Sequence, residues 1–273
     1  MCREFGVFLN FLKLSLWREL KRLLYFKVGT IISLVDVIIN LVIYYIVAHK
    51  VMLNGISYSH FILVGIIVNS ILSYALATPY SSVIESYWSG RLEILMLAPI
   101  NPILAILAMS IARLLRLLLQ LIIYTLLSLF FGLNFALTTR NVLLTFLALF
   151  LGVSSCIGIG LIGSSMIYHI DARGGREPIT WIIELLSGII SGAYFPIDML
   201  PDILQKASWL LPHRYVLDIV RVCILNLNAQ SLSIWYQLAI LLTYTIISLL
   251  LGFLAMLSAI KKAKRTGALS RWV

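Results

Sequence analysis

Charge is scarce in this chain. Asp, Glu, Lys and Arg make up 12% of its 273 residues, 11 acids against 21 bases, while 61% are hydrophobic. That balance excludes an ordinary soluble globule and puts the chain in a bilayer. Cysteine is equally sparse: Cys2, Cys156 and Cys223 show no C-x-x-C spacing, so structural thiols are expected and neither a metal site nor a disulfide framework. The four histidines (His49, His60, His169, His213) and the acids form no convergent set of nucleophile, ligands or paired carboxylates, which excludes a membrane hydrolase or transferase. No G-x-x-x-x-G-K-[ST] loop exists to cradle phosphate, so this chain is not itself an ATPase. Residues 1–135 and 136–273 show no internal repeat. The first apolar run starts near residue 28 with no small-x-small site after it, so an uncleaved span is expected rather than a signal peptide.

What the chain has is long apolar runs. A hydrocarbon core about 30 Å thick needs about 20 helical residues, each advancing about 1.5 Å. Six stretches qualify, at about 28–48, 60–84, 112–133, 142–168, 179–195 and 236–260. They are continuously apolar, without the alternation of an outer-membrane barrel. The expected fold class is an all-α integral membrane protein, one transmembrane domain over 1–273 with six transmembrane helices. Sixteen of the 21 Lys and Arg fall on one side of these spans; Lys50, Arg140, Lys206, Arg214 and Arg221 fall on the other. Cytoplasmic flanks retain positive charge, so both termini are expected in the cytoplasm of a multi-pass plasma-membrane protein. Dispersed among the spans, this charge suits anionic membrane lipid and not nucleic acid.

Residues 1–27 read as an interfacial amphipathic helix. On a 3.6-residue period Phe8, Leu12, Leu16, Leu20, Leu23 and Phe26 share a side, with Lys13, Arg18, Lys21 and Arg22 broadly opposite and Glu19 and Lys27 breaking the pattern. The segment is either a surface anchor or an elbow that moves with a partner. Between the second and third spans, the stretch from Glu85 to Pro102 holds a helix too short to cross: Gly90 suits a tight entry, Glu93 favours a helix start and Pro99 stops it. Leu92, Leu95 and Met96 form an apolar ridge that rests on the interface or is offered to a soluble partner. After the fifth span, Pro196, Pro201 and Pro212 interrupt helix around a half-apolar piece at 202–211. Non-helical backbone at membrane depth needs protein or water to satisfy it, so this stretch reads as a re-entrant hairpin at the outer mouth.

Together these two stretches resemble the permease subunits of the ABC type-2 exporter family, which includes drug and polysaccharide exporters. The first is similar to that family's Gly-Thr-Leu-Glu-x-Leu-x-x-x-Pro pattern, met by Gly90, Leu92, Glu93, Leu95 and Pro99, with Arg91 in the place of Thr. The second is similar to Phe-Pro-x-x-x-Leu-Pro, then Pro-x-x-Tyr and a downstream Arg. Phe195, Pro196, Leu200, Pro201, Pro212, Tyr215 and Arg221 meet it, and His213-Arg214 make it more basic, a departure that bears on cargo. The resemblance implies a homodimeric pore driven by a separate nucleotide-binding subunit that holds the ATP and Mg, with the stretch beginning at Glu85 as the coupling helix. Asp171, Arg173, Arg176 and Glu177 form either a second contact with that ATPase or a solvated turn. The short outer region favours an amphiphilic cargo, such as a drug or lipid, with a polysaccharide as a further possibility.

Polar groups within spans are costly unless they face protein or water. Asp36 and Asn40 on the first span and Glu184 on the fifth therefore line a cargo path or are paired, Glu184 with Arg113 or Arg116. Small residues recur at every fourth position, Gly152, Cys156, Gly160 and Ser164 on the fourth span and Gly188 with Gly192 on the fifth. That spacing lets helix backbones approach, within one subunit or at a dimer seam. By resemblance the family's subunits meet through their first and fifth spans, which makes Gly188 and Gly192 the seam candidates. The rival function is an ion-gradient-coupled carrier using Asp36 and Glu184.

Overall fold

The computed structural model describes residues 2–25, 35, 38–39, 42, 52–53, 56–97, 101–130, 138–169, 177–225 and 233–266. The expected span at 28–48, with Asp36 and Asn40, lies outside these but for Val35, Ile38, Ile39 and Val42. Ten helices appear among the described residues: α1 (Cys2–Tyr25), α2 (Tyr58–Trp88), α3 (Arg91–Leu97), α4 (Pro102–Arg113), α5 (Leu115–Phe130), α6 (Thr139–His169), α7 (Pro178–Ile190), α8 (Asp202–Ser208), α9 (Pro212–Leu225) and α10 (Ile234–Thr266). Two antiparallel two-residue strands, β1 (Met52–Leu53) and β2 (Ile56–Ser57), precede α2. Among the described residues, four stretches are long and apolar enough to cross a membrane: His60–Trp88, Pro102–Phe130, Thr139–His169 and Ile234–Thr266.

Two expected spans need correcting. The one placed at 112–133 starts ten residues earlier, where Asn101 caps α4 by accepting the Ile103 amide at 3.0 Å and Pro102 occupies the first turn. Arg113, the second residue of the expected span, is buried inside this stretch. The one placed at 179–195 is helical only to Ile190, 13 residues in α7, or about 20 Å. Its last part is a reversal in which Gly192 takes a φ of +83°.

Inside an apolar phase each backbone group must find a protein partner, and the spans show how. Pro79 within α2 has no N–H for the carbonyl of Ala75, and the Thr78 hydroxyl donates to that carbonyl instead at 2.8 Å. α6 is the central helix, packed on α2, α9 and α10. Against α10 the contact is backbone to backbone: a Cβ on Gly158 would lie 2.5 Å from the Ser248 carbonyl carbon, and one on Gly252 2.5 Å from the Gly158 oxygen. The small-residue stripe of this span is used within the subunit too, since a Cβ on Gly152 would meet Val216 and Leu72, and one on Gly160 the Leu76 carbonyl and Pro79.

Two apolar clusters result. One joins α2, α6, α9 and α10; the other unites Phe11 of α1, Leu92 of α3, Ile103 of α4 and Ile260 and Ala263 of α10. The interfacial helix and the end of the last helix therefore meet at the α3 end of the molecule. A valine at Gly158 is expected to lower stability by about 1–3 kcal/mol through overpacking. Gly6→Ala, with open space around its Cβ, should instead raise it by about 0.5–1 kcal/mol. Thermal unfolding in detergent measures both signs.

Candidate functional site

Two polar regions stand at opposite ends of α2. At its C-terminal end, Ser89 and Gly90 turn the chain into α3, with Gly90 at a φ of +69° and its amide donating to the Tyr87 carbonyl at 3.0 Å. α3 packs Leu92, 1% exposed, and half-buried Leu95 into the second cluster. Its other side shows Glu93, Ile94 at 68% and Leu97 at 89% exposure. The expected ridge is corrected accordingly: Leu92 and Leu95 face the protein's own interior, while Ile94 and Leu97 face outward. The Met96 side chain and Pro99 lie outside what is described.

Behind α3 sits Glu85. One carboxylate oxygen takes Arg91 Nη2 at 2.6 Å; the other takes Arg22 Nη1 of α1 at 3.0 Å and Arg113 Nη2 of α4. Arg113 is thus committed to Glu85 and, at 3.2 Å, to the Ser81 carbonyl, a role different from the pairing with Glu184 considered above. Glu19, which breaks the helical pattern in the sequence, is buried on α1 beside Arg18 at 3.3 Å and Arg22 at 3.6 Å.

At the other end lies the proline-broken segment. Pro196 precedes a 3-10 turn (Ile197–Met199), Leu200 caps it, Pro201 precedes α8 and Pro212 opens α9. α9 is almost wholly buried against α2, α6 and α10, and no helix is foreseen there because two arginines, a histidine and an aspartate interrupt its apolar run. Arg221 explains the burial. Its Nη1 donates to the Gly192 carbonyl at 2.8 Å and its Nη2 to those of Ala193 at 3.0 Å and Phe61 at 3.3 Å, with the guanidinium 3.5 Å from the Phe61 ring centroid.

Two turns earlier, Arg214 donates to the Gln205 carbonyl at 3.3 Å and to the Ser208 hydroxyl, and stacks on Trp209 at 3.8 Å. Tyr215 donates to the Trp209 carbonyl at 2.9 Å and Tyr244 to that of Leu210 at 2.8 Å. His213 and Arg214 are therefore buried, not displayed to a cargo. Phe195, by contrast, is exposed. Sequence reasoning missed Gly65, whose Cβ would overlap the Ala193 carbonyl and come within 2.6 Å of Arg221 Nη2. A glycine amid an otherwise bulky span is the signal that could have marked it.

The remaining candidates divide. Glu177 is fully buried and caps α7, accepting the Thr180 amide at 3.0 Å and the Thr180 hydroxyl. Burial pushes its carboxyl above the usual carboxylate range, against the pull of the Thr180 and Ile179 amides. Glu177 is therefore spent on α7, and Asp171, Arg173 and Arg176 lie outside the described residues. Gly188 and Gly192 are also turned inward, against Tyr194 and Ile197 of the same chain. The exposed face of α7 carries Trp181, Glu184, Leu185 and Ile189 instead.

The family model described as ABC-2 type transporter matches residues 10–225. No curated protein is significantly similar to the chain.

Arg221 generates a stability test. Arg221→Met should cost about 1–3 kcal/mol for each carbonyl left without a donor. Arg221→Lys should recover only part of it, because one ammonium cannot reproduce the planar fork. Thermal unfolding of the detergent-solubilised chain would show the order wild type, Lys, Met.

Proposed function

The chain belongs to the ABC-2 type transporter family, and from that membership we propose that it is the permease subunit of an ATP-driven exporter. In this reading α3 is the coupling helix. The observation that carries it is the division of α3 into two sides: Arg91, Leu92 and Leu95 anchor it from behind, while Glu93, Ile94 and Leu97 stand free at the end of the molecule. Exposed leucine and isoleucine on a firmly seated short helix suit insertion into a cleft of a soluble partner. That partner is a nucleotide-binding subunit carrying ATP and Mg; the permease itself binds neither.

The α3 end faces the cytoplasm. The charge asymmetry supports this, as does the placing of α1, α3 and the basic end of α10, Lys261, Lys262, Lys264 and Arg265, at that same end. The hairpin of α8 then lies at the outer mouth. Two copies form the pore, and the exposed apolar face of α7 with Trp181, Leu185 and Ile189 replaces Gly188 and Gly192 as its seam. The cargo is an amphiphile, a drug, lipid or polysaccharide, consistent with an outer segment whose free side chains include Phe195, Met199, Ile203 and Leu210.

Reconstitution of the chain in lipid with the nucleotide-binding subunit encoded beside it tests the proposal. The chain is expected to bind that subunit and change its ATP turnover. Leu97→Asp should weaken association roughly thirtyfold, the loss of about 2 kcal/mol at a buried anchor, and Glu93→Arg should abolish the change in turnover. If no ATPase associates and transport follows an ion gradient, the carrier reading with Asp36 and Glu184 replaces this one.

A further inference from the structure

We infer that Glu85 is a positioning residue that locks the coupling helix α3 to α1 and α4, so that a displacement of α3 is delivered to those helices and not absorbed in the turn before it. The inference rests on the docking reading above. Its basis is the way one carboxylate divides its two oxygens. Oε1 serves Arg91 at the start of α3, and Oε2 serves both Arg22 on α1 and Arg113 on α4. A single side chain on α2 thus ties four helices.

The covalent joint is loose by comparison. α3 is seven residues long and follows Ser89-Gly90, where Gly90 has a left-handed backbone and no atom within 4 Å of a Cβ position. Arg91 spans that joint twice, to Glu85 and through its Nε to the Ser89 hydroxyl at 2.8 Å. Leu92 and Leu95 bury α3 on one side, but apolar contact is non-directional and does not fix how the helix is turned. A forked arginine on a carboxylate does.

The cluster also depends on Glu85 for charge. Arg18, Arg22, Arg91 and Arg113 meet only Glu19 and Glu85 in ion pairs among the described residues. Without Glu85, Arg91 and Arg113 lose the carboxylate they share and Arg22 keeps only Glu19 at 3.6 Å, so the repulsion among the three pushes α3 off α1 and α4.

Spin labels on the full chain in lipid nanodiscs test this. They are placed at Lys21→Cys and Glu93→Cys, both exposed, with a second pair at Lys21→Cys and Ile111→Cys, and the native cysteines are replaced. Wild type should give one narrow α1–α3 distance. Arg91→Gln and Glu85→Gln should broaden it, while Arg91→Gln leaves the α1–α4 distance unchanged because the Arg22 and Arg113 branch survives. Raising the salt concentration should broaden the wild-type α1–α3 distance but not that of Arg91→Gln. With the ATPase and nucleotide added to the Lys21→Cys and Ile111→Cys pair, which leaves Glu93 and the docking side native, the α1 label should shift in wild type and stay still in Arg91→Gln, with the ATPase still bound.

An α1–α3 distance unchanged in Arg91→Gln overturns the inference, as does an α1 shift that survives it. If Glu85→Gln fails to fold, Arg91→Gln, at a half-exposed position, decides alone. If no ATPase binds wild type, the docking reading fails while the nanodisc distances still establish whether Glu85 holds α3.

Discussion

A backbone carbonyl in an apolar phase needs a donor, and the break after α7 creates several carbonyls that no helix can satisfy. Arg221 satisfies two of them, from Gly192 and Ala193, and binds a third on α2. Most of what surrounds this end of the molecule follows from that arrangement. Arg221 must be buried, so it sits on a helix that is itself buried. α9 must therefore thread between α2, α6 and α10, and position 65 must be glycine for the Ala193 carbonyl to reach the guanidinium. Arg214, two turns earlier on the same face of α9, does the same for the end of α8. α9 thus presents two arginines to two helix ends, and these close a hairpin that three prolines open.

The same economy operates at the far end of α2 with opposite parts. There the surplus groups are guanidiniums and the scarce partner is a carboxylate, so Glu85 collects three of them. α2 connects both regions: it offers Phe61 and Gly65 to the hairpin and Glu85 to the α3 cluster, 24 residues apart, or about 36 Å along a helix. Between them its hydroxyls bond back to its own carbonyls, Thr78 to Ala75, Ser81 to Ala77 and Ser82 to Thr78. A helix that satisfies itself in this way leaves its ends as the places where polar chemistry involves other elements.

Much of this was legible in advance. The apolar runs behind α2, α6 and α10 are long and uninterrupted, and length alone identifies them. Gly90 announced its turn, because an αL residue between two helices favours glycine. The failures occurred where a charge was read by its cost without its partner. Arg113 stands at the edge of the span expected at 112–133 because an isolated arginine is costly in hydrocarbon; joined to Glu85, 28 positions away, it lies well inside the membrane-crossing stretch Pro102–Phe130. α9 was hidden for the same reason, its arginines being affordable only against carbonyls that exist once α7 and α8 have ended. Gly188 and Gly192 carried a true packing signal, but spacing alone does not say whether the facing partner is another copy or, as here, Tyr194 and Ile197.

Amphipathic segments failed in a more systematic way. A 3.6-residue period finds an apolar stripe on α1 but does not say which polar residues go inward beside it. In water the apolar face must be covered, so the assignment is automatic. In a bilayer the lipid tails are as apolar as any core, and the face that needs protein is the polar one. α1 turns a mixed face inward: Ser15 and Glu19 are buried beside half-buried Phe11, Leu12 and Leu16, and Arg22 reaches Glu85, while Leu14, Trp17 and Leu24 are exposed together with Lys13 and Lys21. α3, beyond the membrane-crossing part, divides otherwise, burying Leu92 while Ile94 and Leu97 stay out. Both helices, seated on the same cluster of charges, thus bury part of their apolar residues and leave part outside. Lipid can cover the exposed leucines of α1, whereas cover for Ile94 and Leu97 of α3 is what the proposed docking would supply.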